Sequence, residues 1–164
     1  MGEETWQALP RPIRRVKTLN LGAGNRIVRK ATNHDVWRHR DEIDIVWDLN
    51  ELPWPWQDND FDKVISWAVF EHLDITLLTA MNECWRILRP NGIAKVKLPY
   101  WKSEMSYNDP THRYVVGLGI FDIFDPTTQK GRKHSFYTDK KWHIEEVGLS
   151  HSESSVWGKL RAIK

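Results

Sequence analysis

Cysteine is almost missing from this chain. Cys84 is the only one among 164 residues, so no internal disulfide can form, and a reducing, cytoplasmic setting is expected. No apolar run approaches the roughly 18 residues of a membrane span, and no secretory leader is expected. Charge of one sign is not in excess either. Twenty-four Lys and Arg against 22 Asp and Glu leave a net charge of +2, which argues against nucleic acid and membrane as partners. The small basic cluster of Arg11, Arg14, Arg15 and Lys17 reads as a solvated face. A glycine is lacking as well. "LGAGNR" has Gly22 and Gly24 but Arg26 where a dinucleotide-binding G-x-G-x-x-G would continue, and Asp35 follows Gly24 by only eleven residues. The ribose-binding acid of that fingerprint lies about 20 residues on, behind a full helix. A nicotinamide oxidoreductase is disfavoured on both counts.

What is abundant is tryptophan, ten residues in all. Most are expected in the core, and some to line a ligand pocket. The length suits a single domain, 1–164, with an N-terminal arm over 1–15 that carries Pro10 and Pro12. Five strands are legible: 16–21, a stretch ending at Asp35, 43–49, 61–70 and 93–101. One clear helix repeats Leu77, Leu78, Met81, Cys84, Trp85 and Leu88 at three- and four-residue steps, with Asp74 as expected cap and "RPNG" as its stop. Alternating strands with one helical crossover predict an α/β domain around a mostly parallel sheet. The segments after strands one and two are too short for helices of several turns. Lys95 and Lys97 alternate with Ala94, Val96 and Leu98, whereas strands of a fully covered parallel sheet are apolar on both sides. One sheet face is therefore expected to be thinly covered, either a homodimer surface or a seat for the arm.

Ligands of open α/β sheets bind at the carboxyl ends of the strands. Gly22 and Gly24, Asp35, Asp48, Ala68 to His72, and Pro99 to Trp101 all fall there. A carboxylate such as Asp35 can accept both hydroxyls of a ribose. Asp48 is placed to meet an adenine amino group or to cap the next turn.

"LNLGAGN", "NHD", "DLNELPWPWQDNDFDKVISWAVFEHL" and "LLTAMNECWRILRPNGIAKVKLP", together spanning 18–101, resemble the class I S-adenosylmethionine-dependent methyltransferases in order and spacing. The resemblance implies a Rossmann-like, seven-stranded sheet with a reversed final hairpin, here with shortened crossovers after strands one and two. It implies S-adenosylmethionine as cofactor, with Asn20, Gly22, Ala23, Gly24, Asp35, Asp48, Leu49, Trp67 and Ala68 as its contacts. Asn20 and Arg26 stand where the family usually has an acid and a third glycine. That departure bears on cofactor affinity and leaves a non-catalytic binding domain as the alternative. S-adenosylmethionine has no phosphate to seat on a helix N-terminus, which fits a glycine turn without a helix behind it.

The methyl acceptor is expected to be a small molecule. His72, in the "EH" pair after strand four, is a candidate base, and a loop-fixing histidine is the other reading. The polar segment after strand five suggests a lid over 102–134. Within it "DPTHRY" offers Asp109 and His112 as an oriented base and Arg113 for an anionic acceptor, while Tyr100 and Trp101 are expected at the substrate. No second pair at ligand spacing accompanies Asp109 and His112, so no metal is expected. The histidines at 34, 39, 134, 143 and 151 are expected to be exposed. The Asn/Asp-Pro-Pro-aromatic turn of amino-methylating relatives is absent after strand four, where "WAVFEH" stands. Toward the end, "KHSFYT" suggests a strand, "DKKWHIEEVGL" a helix and "VWGKLRAIK" a closing strand.

Overall fold

The computed structural model describes residues 14–164. The expected arm lies outside the described residues except for its last two, Arg14 and Arg15. Seven strands form one sheet: β1 Thr18–Leu21, β2 Thr32–Asp35, β3 Ile45–Val46, β4 Phe61–Trp67, β5 Leu88–Pro99, β6 Lys141–Leu149 and β7 Ser155–Ile163. Their order is β3-β2-β1-β4-β5-β7-β6. β1 to β5 run parallel, and β7 pairs antiparallel with both β5 and β6. This is the Rossmann-like class I methyltransferase fold, final reversed hairpin included. No helix among the described residues is long and apolar enough to cross a membrane.

α1, Leu77–Ile87, forms the crossover from β4 to β5 and buries Ala80, Met81, Cys84 and Ile87. Its cap is Thr76, whose hydroxyl accepts the Thr79 N–H. The expected cap, Asp74, instead pairs with Arg113. The connections after β1 and β2 hold no helix, as their length required. In place of the first, a loop over 22–31 is held by two buried asparagines. Asn20 Nδ2 donates to Arg26 O and to Asn33 Oδ1, both at 2.9 Å, and the same Asn33 oxygen accepts Val28 N–H. A buried amide must satisfy its donors and acceptors, and here it does so by pinning the loop.

Two expectations fail in the C-terminal third. "DKKWHIEEVGL" is strand β6, not helix. Its Lys and Glu residues favour helix locally, but nine residues of β7 are available to pair with it, and a bulge between Ile144 and Glu146 breaks the two-residue alternation that marks a strand. "KHSFYT" is no strand. It follows the short helix α2, Gln129–Lys133, as a turn with Phe136 and Tyr137 exposed. The closing strand is observed as β7.

The core lies on one side of the sheet, where Leu19, Leu21, Val64, Ala94, Val96, Leu98 and Leu160 pack with Trp54, Phe61 and the α1 residues. Among the described residues the other side is thinly covered, in keeping with the Lys95 and Lys97 alternation. Register places Lys63 beside Ile93, Ile65 beside Lys95, and Trp67 beside Lys97 there. Arg26, Trp67, Lys95, Lys97, Trp157 and Lys159 help line a cavity of about 400 Å³ on this face. Burial, and then the neighbouring cations, hold Lys63 and Lys97 below the usual lysine range.

Candidate active site at the carboxyl rim of the sheet

The ends of β1, β2, β3 and β4 enclose a second cavity of about 380 Å³, lined by Gly22, His34, Asp35, Val36, Trp47, Asp48, Leu49, Asn50, Ala68, Val69, His72 and Leu73. That volume is within the range of small-molecule sites. Gly22 (φ +54°) and Gly24 (φ +48°) both lie in the left-handed region. A Cβ on Gly22 would stand 2.5 Å from Val69 Cγ2, so only glycine lets the turn pass beneath β4's exit. Ala68, at φ 58°, takes the same region despite its Cβ, a strained conformation of the kind that collects at functional sites.

Asp35 faces this turn. Its Oδ2 accepts Gly24 N–H at 2.7 Å and its Oδ1 accepts Val36 N–H at 2.7 Å. Each oxygen keeps a lone pair for a further donor. Asp48 caps the next turn, its Oδ1 accepting Asn50 N–H at 2.9 Å, and the residue also lines the cavity. Trp47 is the tryptophan in this wall. Ala23 is buried, and neither it nor Asn20, Gly24 or Trp67 lines the cavity. Asn20 is committed to the loop, and Trp67 opens onto the basic face.

His34 was expected to be exposed and is 1% exposed. Its Nε2 lies 2.9 Å from Trp47 O, an acceptor, so that nitrogen carries the proton and Nδ1 accepts Gly22 N–H at 3.3 Å. Burial lowers its pKa, which keeps the ring neutral and preserves this tautomer. It ties the glycine turn to β3. Of the other histidines in that group, 143 and 151 are exposed, while 39 and 134 are half-buried.

The segment over 102–134 meets the exit of β4 through several contacts. Arg113 N–H donates to Glu71 O at 2.7 Å, and the Arg113 side chain pairs with Asp74. His72 Nδ1 lies 2.8 Å from Thr111 Oγ1, whose own proton goes to Asp109 Oδ1 at 2.6 Å. The threonine oxygen must therefore accept, and His72 Nδ1 must donate. His112 Nδ1 lies 2.8 Å from Ser106 O and likewise must donate. With Nδ1 donating, Nε2 is in each neutral ring the nitrogen left to accept or ligate, and the ring centroids lie 4.9 Å apart. Asp109 does reach His112, but at 3.9 Å from Nε2, too long for a hydrogen bond. Its firm link runs through Thr111 to His72.

Glu71 stands in the sequence beside His72, as the first half of the "EH" pair. It is 1% exposed, and its Oε2 has no hydrogen-bond partner. Burial pushes its carboxyl up to about 7, with backbone N–H groups and His112 opposing. Burial and the neighbouring His112 lower His72. Tyr100 is buried beside the bridge to Val116, and Trp101 is half exposed. Not all of 102–134 is rim. Phe121 and Phe124 are core residues, and a Cβ on Gly158 would meet the Phe121 ring at 2.6 Å, so residues 118–124 pack closely on β7.

A family model described as a methyltransferase domain matches residues 7–96, more than half of the chain. The chain belongs to the methyltransferase domain family. Among solved structures, this methyltransferase-family chain is similar to a complex of a Haloferax volcanii methyltransferase with its Trm112 activator (TM-score 0.63, 13% identity, 91% of this chain and 83% of that one). It is also similar to an S-adenosylmethionine-dependent methyltransferase from Thermotoga maritima (TM-score 0.62, 13% identity, 93% and 84%). The cyclase SpnF is a further match (TM-score 0.60, 13% identity, 90% and 74%). At these identities the likeness is one of fold. Comparison with curated proteins found no match.

Proposed function

We propose that this methyltransferase-family protein binds S-adenosylmethionine in the 380 Å³ cavity and transfers its methyl group to a small-molecule acceptor at the adjoining rim. One observation carries the reading. The cavity wall holds two carboxylates, Asp35 and Asp48, and no lysine or arginine, which suits an adenosine joined to a cationic group and disfavours a phosphate. The residues fit that ligand, because the Gly22 turn admits close backbone approach and Asp35 keeps two lone pairs for a diol.

When bound, the cofactor supplies an activated methyl group on a sulfonium. In this reading Gly22, Ala23 and Gly24 shape the seat of its amino-acid part, Asp35 holds the ribose, and Asp48 and Leu49 border the adenine. Ala68 closes the wall under β4, while Trp67 faces away from it onto the basic side of the sheet. His72, held by Thr111 and Asp109 with Nε2 unprotonated, removes a proton from the acceptor, and His112 stands beside it. Tyr100, Trp101 and Arg113 border the acceptor from the lid side. Orientation within a near-attack arrangement supplies much of the rate.

Calorimetric titration of the chain with S-adenosylhomocysteine and with NAD tests this reading. Heat with the first and none with the second is expected. Silence with S-adenosylhomocysteine at millimolar concentration, by calorimetry and by thermal shift, defeats it.

A further inference from the structure

Glu71, His72 and His112 each offer one ligand atom, and these three atoms lie within 4.8 Å of one another. The pair that Asp109 and His112 lacked in the sequence is thus supplied by the "EH" that ends β4, brought in across forty residues by the Arg113 to Glu71 backbone bond. We propose that Glu71, His72 and His112 bind a divalent first-row transition metal ion, zinc or iron(II), through one carboxylate oxygen and two imidazole Nε2 atoms.

Three independent features converge on this. The first is the donor set: two imidazoles and a carboxylate select zinc or iron(II) over magnesium or calcium, which prefer all-oxygen shells, and three protein ligands leave positions open. The second is tautomer. A histidine that binds metal through Nε2 gives its Nδ1–H to a carbonyl or carboxylate. His112 gives it to Ser106 O, and His72 to Thr111 Oγ1, which relays to Asp109. The third is Glu71 Oε2, fully buried and without any partner. Buried polar atoms are rarely left so, and an ion between it and the two imidazoles satisfies all three. Metal–nitrogen bonds of about 2.0–2.1 Å set tetrahedral ligand atoms about 3.3–3.4 Å apart, so atoms up to 4.8 Å apart must close by as much as about 1.4 Å, which torsions of the two half-buried rings can supply. His72 is also part of the cavity wall, so the ion would sit beside the proposed cofactor seat. With the ion bound, His72 Nε2 is a ligand and no longer a base; the open positions would take an acceptor oxygen or nitrogen and favour its deprotonated form, the task that His72 performs in the metal-free reading.

The test needs neither cofactor nor acceptor, so its outcome is separate from that of the methyl-transfer reading. The full chain is stripped with chelator and titrated with zinc chloride, and separately with cobalt(II), at neutral pH. One ion per chain is expected, with visible cobalt bands and selective broadening of the His72 and His112 ring-proton signals. Glu71→Gln, His72→Ala and His112→Ala should each weaken binding about 100-fold, and Thr111→Val, which frees only the His72 tautomer, about tenfold. His151→Ala, at an exposed histidine elsewhere, should change nothing. The broadening experiment uses the unaltered chain and stands even where a variant does not fold. No stoichiometric binding, cobalt broadening at other histidines, or zinc affinity unchanged in Glu71→Gln and His112→Ala would each overturn the proposal.

Discussion

Gly24 gives its backbone N–H to Asp35 Oδ2 at 2.7 Å, joining the turn after β1 to the end of β2 across eleven residues that contain no helix. The carboxylate is thereby aimed into the cavity before any ligand arrives, so its orientation costs little on binding.

Replacing Asp35 by Ala should therefore weaken S-adenosylhomocysteine at least tenfold, about 1.4 kcal/mol. It should also lower stability by about 1 kcal/mol through the orphaned Gly24 N–H. Calorimetry and urea unfolding read the two effects separately. Unaltered affinity in a folded variant would remove Asp35 from the cofactor site.

Gly22→Ala adds a Cβ at 2.5 Å from Val69 Cγ2 while holding φ at +54°. A loss of about 2–4 kcal/mol is expected, part steric and part conformational. Val69→Ala in the same chain should restore the steric part and leave about 1 kcal/mol, a coupling that a double-mutant cycle measures. If the two substitutions add without coupling, the contact is not what constrains the turn.

Asp125 is 2% exposed and accepts Thr127 N–H, Thr127 Oγ1–H and Ile144 N–H at 2.7–2.8 Å, fastening the segment after residues 118–124 to β6. These bonds and the nearby His143 outweigh burial and hold its pKa below the usual carboxylate range. A group depressed in the folded state contributes stability that is present above its unfolded value, about 3.9, and is lost as pH falls through the folded value. Urea unfolding should show wild type losing about 1–3 kcal/mol on acidification below pH 4 at this site. Asp125→Asn should start lower at neutral pH and show a shallower acid slope. Equal slopes would contradict the assignment.

For the proposed chemistry, His112→Ala and Asp109→Ala should reduce turnover on an identified acceptor by about 10²–10⁴. Neither residue lines the proposed cofactor cavity, so S-adenosylhomocysteine affinity should stay within about twofold of wild type. Transfer assays paired with titration decide this, and unchanged turnover in both variants would take the "DPTHRY" segment out of the active site.

Local pattern determined a good deal by itself. Alternating apolar runs set β1, β4 and β5, a 3.6-residue period set α1, and short spacing excluded helices after β1 and β2. The same strand-end logic gathered Gly22, Asp35, Asp48, Ala68 and His72 at one rim. Only tertiary structure decided the rest. β6 is a strand because β7 lies beside it, against the helical leaning of its own lysines and glutamates. His34 is buried because Trp47 and Gly22 offer it an acceptor and a donor. Glu71 becomes a candidate ligand because residues 109–113 fold back onto it. Periodicity is a property of neighbours along the chain and can be read there. A hydrogen bond between residues forty apart depends on where two strands end in space, and no stretch of sequence contains that.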